Sequence, residues 1–481
     1  MRDGWRLACQ TTIAADAALE VPDACRSPGG KSFGDDTLVP ADRVPMPAAA
    51  MGGGGAWAAA LDIGTTTLAA ALIDLRSGRI EAEDTALNPQ SAAGPDVMSR
   101  ILYAGRGARE QASLTGAVRR GVASLIAGLC GPHGIRPGDV AAAAVVGNPT
   151  MLHLWRGVDP AGLGVAPFLG QWVEATACRA SDVGLPVHPS AEVYVLPAIR
   201  SHVGADAVAA AVAVGLDQAG TPAMLIDLGT NSEIVLGDAR GAVASSTAAG
   251  PAFEGGGVTC GMRAAAGAID ACHVEADGRL SLHVIGGGVP IGLCGAGLLD
   301  AVAELRRAGI IDAAGRMMAP DEARDRLPKH LAARVIVNGQ GKAFVLAGGV
   351  GPHDGVVLAA SDVRQAQLAV AAVRAGIDLL CAEARIEPSR IARVWIAGSF
   401  GRAVRLRSLF LLGMLPAIDA ERVHIAGNAA GVGARLALVD ARARDRATAF
   451  ARRARYVELA GRTDYAEAFE ARLRFPDRTR W

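Results

Sequence analysis

The sequence predicts an α/β protein of two related lobes with a cleft between them. An apolar strand leads into Asp62-Ile63-Gly64-Thr65-Thr66-Thr67 and a second apolar strand follows it. The same arrangement recurs around Asp227-Leu228-Gly229-Thr230-Asn231, and an internal repeat of this kind indicates two related units. A third apolar strand ends in Gly398-Ser399-Phe400-Gly401. Hydrophobic residues make up 51% of the chain, which is enough to fill the cores of both lobes.

Charge and composition exclude several classes of partner. The 48 basic side chains balance the 48 acidic ones, so the basic excess typical of nucleic-acid binding is missing. No run of about 18 strongly apolar residues suggests a membrane span. The first ten residues include Arg2, Asp3 and Arg6 and lack the apolar core of a signal peptide. We therefore expect a cytoplasmic protein with no nucleic acid and no membrane among its partners.

Glycine and proline clusters divide the chain. Residues 1–25 are interpreted as the end of another module, and residues 26–56, which finish in four consecutive glycines, as a flexible linker. Residues 57–215 are predicted to form the first lobe. Residues 216–481 are predicted to form the second lobe and the C-terminal helices.

The first Asp-x-Gly-Thr loop has the chemistry of a phosphate site. Gly64 allows a sharp turn and a close approach of the backbone to an anion. Backbone N–H groups and the hydroxyls of Thr65 and Thr66 can donate to phosphate oxygens. Asp62 is suited to holding Mg²⁺ through water, or to orienting an attacking water.

The second loop repeats this arrangement with Asp227, Gly229, Thr230 and Asn231. Two such loops that face each other would clamp a polyphosphate with a metal between them. A single loop of this kind is also explained by a simple turn, and the repetition favours the phosphate site. Glu254 lies in a Gly-rich turn within reach of this cleft, where it would hold metal or ribose; a carboxylate that caps its own loop explains it equally well.

The three-loop layout resembles the superfamily of acetate and sugar kinases, heat-shock ATPase chaperones and actin. In that superfamily two ribonuclease-H-like lobes close over ATP. The resemblance implies ATP and Mg²⁺ as cofactors, with Asp62–Thr67 and Asp227–Asn231 as phosphate loops and Ala397–Gly401 as the adenosine loop. Asp62 and Asp227 would organise Mg²⁺ and the attacking water. The other residues implied at the nucleotide are Gly64, Thr65, Thr66, Gly229, Thr230, Asn231, Gly398, Ser399 and Gly401.

Further motifs narrow the resemblance to one family. They are Asn88-Pro89-Gln90, Asp96–Ile101, Gly147–His153, Val203–Asp206, Ala249–Gly255, Gly261–Ala264, Leu293–Asp300 and Gly413–Pro416. Together they resemble the ATP-binding domain of the reductive activators of corrinoid-dependent methyltransferases and corrinoid iron–sulfur proteins, from about residue 57 to the C-terminus. The resemblance implies ATP-dependent return of Co(II) to Co(I) in a corrinoid protein or corrinoid methyltransferase. The electron donor and dimerisation stay open.

The N-terminal segment Gly4–Thr11 resembles the part of a plant-type [2Fe–2S] ferredoxin domain that carries its last ligand, here Cys9. Such a cluster needs four cysteines, and Cys25 does not supply the missing spacing. A chance buried cysteine also explains Cys9. We therefore expect an incomplete ferredoxin module, which is explained either by a misplaced or cut start of the sequence or by a natural short form. We also expect that the family's middle domain is absent, because residues 26–56 leave no room for it.

Two alternatives of another class remain. One is a small-molecule kinase of the same fold, which needs a second pocket in line with the γ-phosphate. The other is a remnant that binds nucleotide without catalysis.

Overall fold

A computed structural model describes residues 33, 38–39, 43–44, 56–339, 341–348, 355–398 and 404–477. Cys9, Ser399 and Gly401 therefore lie outside the described residues. The strands are β1 (Trp57–Ile63), β2 (Thr67–Asp74), β3 (Ile80–Leu87), β4 (Val140–Gly147), β5 (Thr176–Arg179), β6 (Glu192–Val195), β7 (Ala223–Asp227), β8 (Ser232–Asp238), β9 (Gly241–Thr247), β10 (Ala268–Val274), β11 (Leu280–Val284), β12 (Gly292–Leu293), β13 (Val335–Asn338), β14 (Gly341–Gly348), β15 (Gly355–Ala359), β16 (Arg393–Ala397), β17 (Val423–Gly427) and β18 (Ala454–Tyr456). The helices are α1 (Val97–Ala104), α2 (Ala108–Cys130), α3 (Pro149–Arg156), α4 (Ala180–Val183), α5 (Ala205–Ala213), α6 (Gly295–Arg307), α7 (Pro320–Arg326), α8 (Lys329–Ala332), α9 (Ala360–Ala384), α10 (Leu406–Leu411), α11 (Ala429–Val439), α12 (Ala441–Arg453) and α13 (Thr463–Arg472).

Two six-stranded sheets share the order and direction of five strands. The sixth strand differs, because β5 pairs with β6 in the first sheet and β18 pairs with β9 in the second. The first has the order β3-β2-β1-β4-β6-β5, and the second has the order β17-β16-β7-β8-β9-β18. In each, three antiparallel strands are followed by two that run parallel to the first of them, β4 and β6 or β16 and β17. The duplication predicted from the two loop motifs is therefore present in the strand order itself.

The two motifs occupy equivalent hairpins. The first lies between β1 and β2, and the second lies between β7 and β8. The strands that lead into the motifs, β1 and β7, are apolar and mostly buried. Each lies inside its sheet and is covered on both faces. The motif residues are consequently held at the ends of well-anchored strands.

Two helices occupy equivalent places between the sheets. Helix α5 follows β6, the last parallel strand of the first sheet, and α11 follows β17 in the second. The two helices pack against each other, and α11 also contacts β1 and β4. Both are rich in alanine and buried along most of their length, so their backbones approach closely. They join the lobes at the base of the cleft.

The second lobe carries two small insertions, the sheets β11-β10-β12 and β13-β14-β15. Its longest helix, α9, packs against β8 and β9. Among the described residues α9 is the one helix long and apolar enough to cross a membrane by length and composition alone. Of its most apolar 18-residue window, 72% is buried inside the protein, which is the setting of a core helix.

Parts of the predicted flexible linker at residues 26–56 lie against the folded body. The Phe33 side chain is fully buried, and its backbone N–H donates to a Glu83 carboxylate oxygen at 2.6 Å. Val44 accepts a hydrogen bond from the N–H of Ala441 at 2.7 Å. At these described positions the segment is docked, because an apolar side chain finds a core to enter.

Candidate active site

A cleft of about 410 Å³ opens between the two hairpins. Of the residues expected at a nucleotide, those that the structure describes all line it. They are Asp62, Gly64, Thr65, Thr66, Asp227, Gly229, Thr230, Asn231, Glu254 and Gly398.

Two asparagine side chains hold the first hairpin. Asn88 donates from Nδ2 to the carbonyl oxygen of Gly64 at 2.9 Å, and its backbone N–H donates to Thr66 at the same distance. Asn148 donates from Nδ2 to Thr65 Oγ1 at 2.9 Å while its Oδ1 caps α3. Asn148 was quoted within a motif but not expected as a site residue, and its place directly after β4 was the available signal.

A buried polar network supports Asn88 from behind. Gln90 accepts hydrogen bonds from Asn88 and from Arg100 Nη1, both at 3.2 Å. The Arg100 side chain is fully buried and donates from Nε to Gly94 at 2.9 Å. Burial lowers the pKa of Arg100 to about 10. The Asn88-Pro89-Gln90 and Arg100 motifs thus position the first loop without lining the cleft.

The second hairpin is held by the end of β16. Leu228 donates its N–H to the carbonyl of Ala397 at 3.1 Å, and Gly398 follows with φ of +94°. A side chain at Gly398 would meet Leu228 O at 2.5 Å and Asp227 Oδ1 at 2.6 Å. Gly64 has no such left-handed φ, so the sharp turn expected there is made with ordinary backbone angles.

The floor of the cleft gathers carboxyl groups. Asp62 is 3% exposed and lies near the end of β1, while Asp227 ends β7 directly opposite Glu233. Burial raises the pKa of Glu233, and the nearby carboxylates of Asp206 and Asp227 raise it further. Ser246 donates to Glu233 Oε1 at 3.0 Å. Glu233 was not expected at the site, and its strand register with Asp227 was not readable from the sequence.

The sequence position of Asp206, directly after Gly204-Ala205, fits either a simple charge at the start of a helix or a cleft residue. It lies in the first turn of α5, and its side chain lines the cleft. Both interpretations therefore describe the residue.

Glu254 joins the two hairpins. Its Oε1 accepts a hydrogen bond from Thr230 Oγ1 at 3.0 Å, and its Oε2 accepts one from Thr66 Oγ1. Arg263 lines the cleft nearby; burial lowers the pKa of its guanidinium, and the Glu254 carboxylate counteracts this. Glu254 therefore reaches across the cleft instead of only capping its own loop.

The donors and acceptors present suit a Mg²⁺–nucleotide. The Asn428 amide nitrogen, in the cleft lining, is buried without a partner among the described residues. Mg²⁺ in such sites is held by one or two carboxylates together with phosphates, and Asp62 and Asp227 supply two carboxylates. No group of three or more His, Cys, Asp or Glu side chains in the described part of the chain could hold a metal ion alone.

An iron–sulfur cluster does not fit the described residues. It needs several converging cysteines. The six cysteines that the structure describes are all free, and they form no such group.

The two duplicated lobes and the cleft between their hairpins define a member of the acetate and sugar kinase, heat-shock chaperone and actin superfamily. Residues 221–480 match the family model of the C-terminal, ASKHA, domain of RACo, and residues 57–219 match that of the RACo middle region. The chain belongs to this family of reductive activators of corrinoid proteins. The family and fold expected from the motifs are confirmed.

Relatives of this chain carry corresponding names. The corrinoid activation enzyme RamQ of Eubacterium limosum is 36% identical over 87% of this chain and 70% of its own length. The [Co(II) methylated amine-specific corrinoid protein] reductase of Methanosarcina barkeri is 25% identical over 64% of this chain and 57% of its own. A solved structure of a reductive activator for corrinoid, iron–sulfur protein superposes with a TM-score of 0.79 at 34% identity, covering 88% of this chain and 66% of that one.

One expectation is corrected by these matches. The family's middle domain was expected to be absent, because residues 26–56 leave no room for it. Residues 57–219 match the model of that region, and they include the first six-stranded sheet. The middle region was overlooked because its residues had been assigned to the first lobe.

Proposed function

We propose that this protein is an ATP-dependent reductive activator, which returns the cobalt of a corrinoid protein from Co(II) to Co(I). The observation that carries the proposal is the cleft in which two duplicated Asp-x-Gly-Thr hairpins meet, in a chain of the RACo family. The partner is a corrinoid protein or corrinoid methyltransferase, and the reaction takes place in the cytoplasm.

The chemistry explains why ATP is needed. Reducing Co(II) to Co(I) takes one electron at a very low potential, and each shortfall of about 59 mV costs tenfold in the equilibrium constant. Binding and hydrolysis of ATP can drive closure of two lobes around a cleft. Closure changes the surface that the partner meets, so hydrolysis can make release of the reduced partner irreversible.

Each cleft residue then has a role. Asp62 and Asp227 would hold Mg²⁺ and orient the attacking water. The hydroxyls of Thr65, Thr66 and Thr230 and the Asn231 side chain would donate to phosphate. Bound Mg²⁺ supplies charge neutralisation at the phosphates. Asn148 and Asn88 keep the first loop in place.

The electron comes from a donor outside the described residues, which hold no set of ligands for a [2Fe–2S] cluster. Cys9, the one residue that resembles a cluster ligand, lies outside them as well.

The decisive experiment measures ATP hydrolysis with and without a Co(II) corrinoid protein, and follows Co(I) by its absorbance under a low-potential reductant. We expect the corrinoid protein to stimulate hydrolysis and Co(I) to accumulate only with ATP. Phosphorylation of a metabolite, with no stimulation of ATP hydrolysis by the corrinoid protein, would contradict the proposal and favour a small-molecule kinase.

Asp227→Asn should abolish this hydrolysis, because it removes the carboxylate that orients water and metal. Asp238→Asn is the matched control. Asp238 ends β8 in the same sheet but does not line the cleft. Its carboxylate forms an ion pair with Arg240 at 2.6 Å. Equal hydrolysis rates in the Asp227→Asn variant and the control would show that the second loop is structural.

A further inference from the structure

The segment from Ala249 to Ala264 contains two of the motifs that narrow the family, Ala249–Gly255 and Gly261–Ala264. It has two charged residues, Glu254 and Arg263. The segment folds back on itself through backbone hydrogen bonds, from Gly256 to Pro251 at 2.9 Å and from Gly261 to Val258 at 3.0 Å. Its two charged side chains thereby reach one cleft.

The Glu254 carboxylate takes the donors that a phosphate needs. It accepts from Thr66 on the first hairpin and from Thr230 on the second, so a single side chain connects the two lobes. A threonine hydroxyl has one hydrogen to donate. Neither hydroxyl can therefore donate to a phosphate oxygen while it donates to Glu254.

Arg263 provides the place to which Glu254 can move. Its guanidinium is half-buried in the cleft lining, and no hydrogen bond or ion pair joins it to the described residues. The Glu254 carboxylate lies close enough to oppose the lowering of the Arg263 pKa by burial. A charge pair between them would neutralise both groups inside the cleft.

We propose that Glu254 is a displaceable tie, which holds the two phosphate loops together in the nucleotide-free protein and yields their hydroxyls to the incoming phosphates. On displacement, Glu254 pairs with Arg263. The inference rests on the proposed binding of nucleotide in this cleft. It adds that the Glu254 carboxylate competes with the phosphates for the hydroxyls of Thr66 and Thr230. It gives the segment from Ala249 to Ala264 a role in sensing whether the cleft is occupied.

The test is ATP binding by titration calorimetry, with Mg²⁺ and with EDTA, on Glu254→Gln. Removing the competing charge should tighten ATP binding about tenfold, the effect of ~1.4 kcal/mol, under both conditions. If Glu254 instead binds the metal, the variant will bind MgATP more weakly and ATP in EDTA unchanged, which overturns the tie. Glu275→Gln is the control, since the Glu275 side chain is 43% exposed and lies outside the cleft lining.

A second variant isolates the partner of the displaced carboxylate. Arg263→Gln should weaken ATP binding, and the double variant Glu254→Gln, Arg263→Gln should bind ATP differently from the sum of the single effects. Strict additivity would overturn the pairing with Arg263. Failure of the unsubstituted protein to bind ATP contradicts the proposed function and the tie together, whereas normal binding without tightening in Glu254→Gln overturns the tie alone.

Discussion

The Glu233 carboxyl group lies beside two other carboxyl groups in the cleft, and this makes the protein sensitive to pH at one residue. The pKa of Glu233 is raised well above 4.5 by burial first, and then by the charges of Asp206 and Asp227. The folded protein therefore holds this proton over a pH range in which the unfolded chain has released it. The stability that this proton contributes is complete below the unfolded pKa and is lost as pH rises through the folded one.

Glu233→Gln tests this linkage, because glutamine stays neutral at every pH. The free energy of unfolding of the wild type should fall relative to that of the variant as pH rises from about 4.5 toward the raised pKa. Thermal unfolding of both proteins across this range measures the difference. A difference that is constant with pH would show that Glu233 titrates as it does in the unfolded chain.

At the scale of secondary-structure elements, the parallel strand next to each hairpin, β4 in the first sheet and β16 in the second, braces that hairpin. β4 ends at Gly147, where a side chain would meet Ile63 O at 2.6 Å, and Gly398 makes the corresponding approach to Leu228 O at 2.5 Å. Ile63 and Leu228 hold the same position in their motifs. The close approach of strand end to hairpin is therefore part of the duplicated unit.

Gly147→Ala should push the first hairpin away from β4. We expect a loss of about 1–3 kcal/mol in stability, the usual cost of overpacking, together with weaker nucleotide binding. Gly128→Ala is the control, because Gly128 lies in helix α2 with nothing within 4 Å of an added Cβ. That variant should gain up to about 1 kcal/mol from helix propensity. Chemical denaturation measures the free energy of unfolding of both variants. Equal values for Gly147→Ala and Gly128→Ala would contradict the idea that β4 braces the first hairpin.

The sequence was informative where one element carries its own signal. Both hairpins and the strands that end at Ala397 and Gly427 could be predicted, because apolar strands next to glycine motifs are local patterns. The sheets built from β10 to β15 were not predicted, although β10 and β11, and likewise β13, β14 and β15, pair as neighbours along the chain. Strand propensity depends on burial and cross-strand packing, which short segments like these do not display. Glu233 and Arg263 were missed because strand register and the folding-back of a loop place them in the cleft.

Helix α12 shows the same limit. The spacing of its arginines predicts a solvated face, but the Arg444 and Arg446 side chains are only 16% and 15% exposed. Arg444 forms an ion pair with Glu192 of the first lobe, and Arg446 forms one with Asp217, which directly follows that lobe. The alternation of arginine with alanine is the same for a helix in solvent and a helix docked on acidic groups. The partners Glu192 and Asp217 are more than 200 residues away in sequence.

For the whole molecule, the C-terminal helices prevent the two lobes from being independent. Buried side chains of α11 and α12 belong to the same core as β1, β4 and α5. β18, which directly follows α12, pairs with β9 of the second sheet. The chain thus returns to the first lobe and then to the second, and we expect both lobes to unfold in one transition.

Arg446→Met tests this interlocking at its most buried ion pair. Arg446 donates from Nε and Nη2 to the two carboxylate oxygens of Asp217, each at 2.8 Å, and the Asp217 side chain is only 2% exposed. Loss of the cation leaves a buried charge without its partner, so the free energy of unfolding should fall by about 3–5 kcal/mol within a single transition. Adding Asp217→Leu to the Arg446→Met variant should recover most of this loss. Arg452→Met, on the same helix but in an exposed pair with Glu174, should cost less than about 1 kcal/mol. Calorimetry that resolves two transitions in the wild type, or a change confined to one of them in Arg446→Met, would show that the lobes unfold separately.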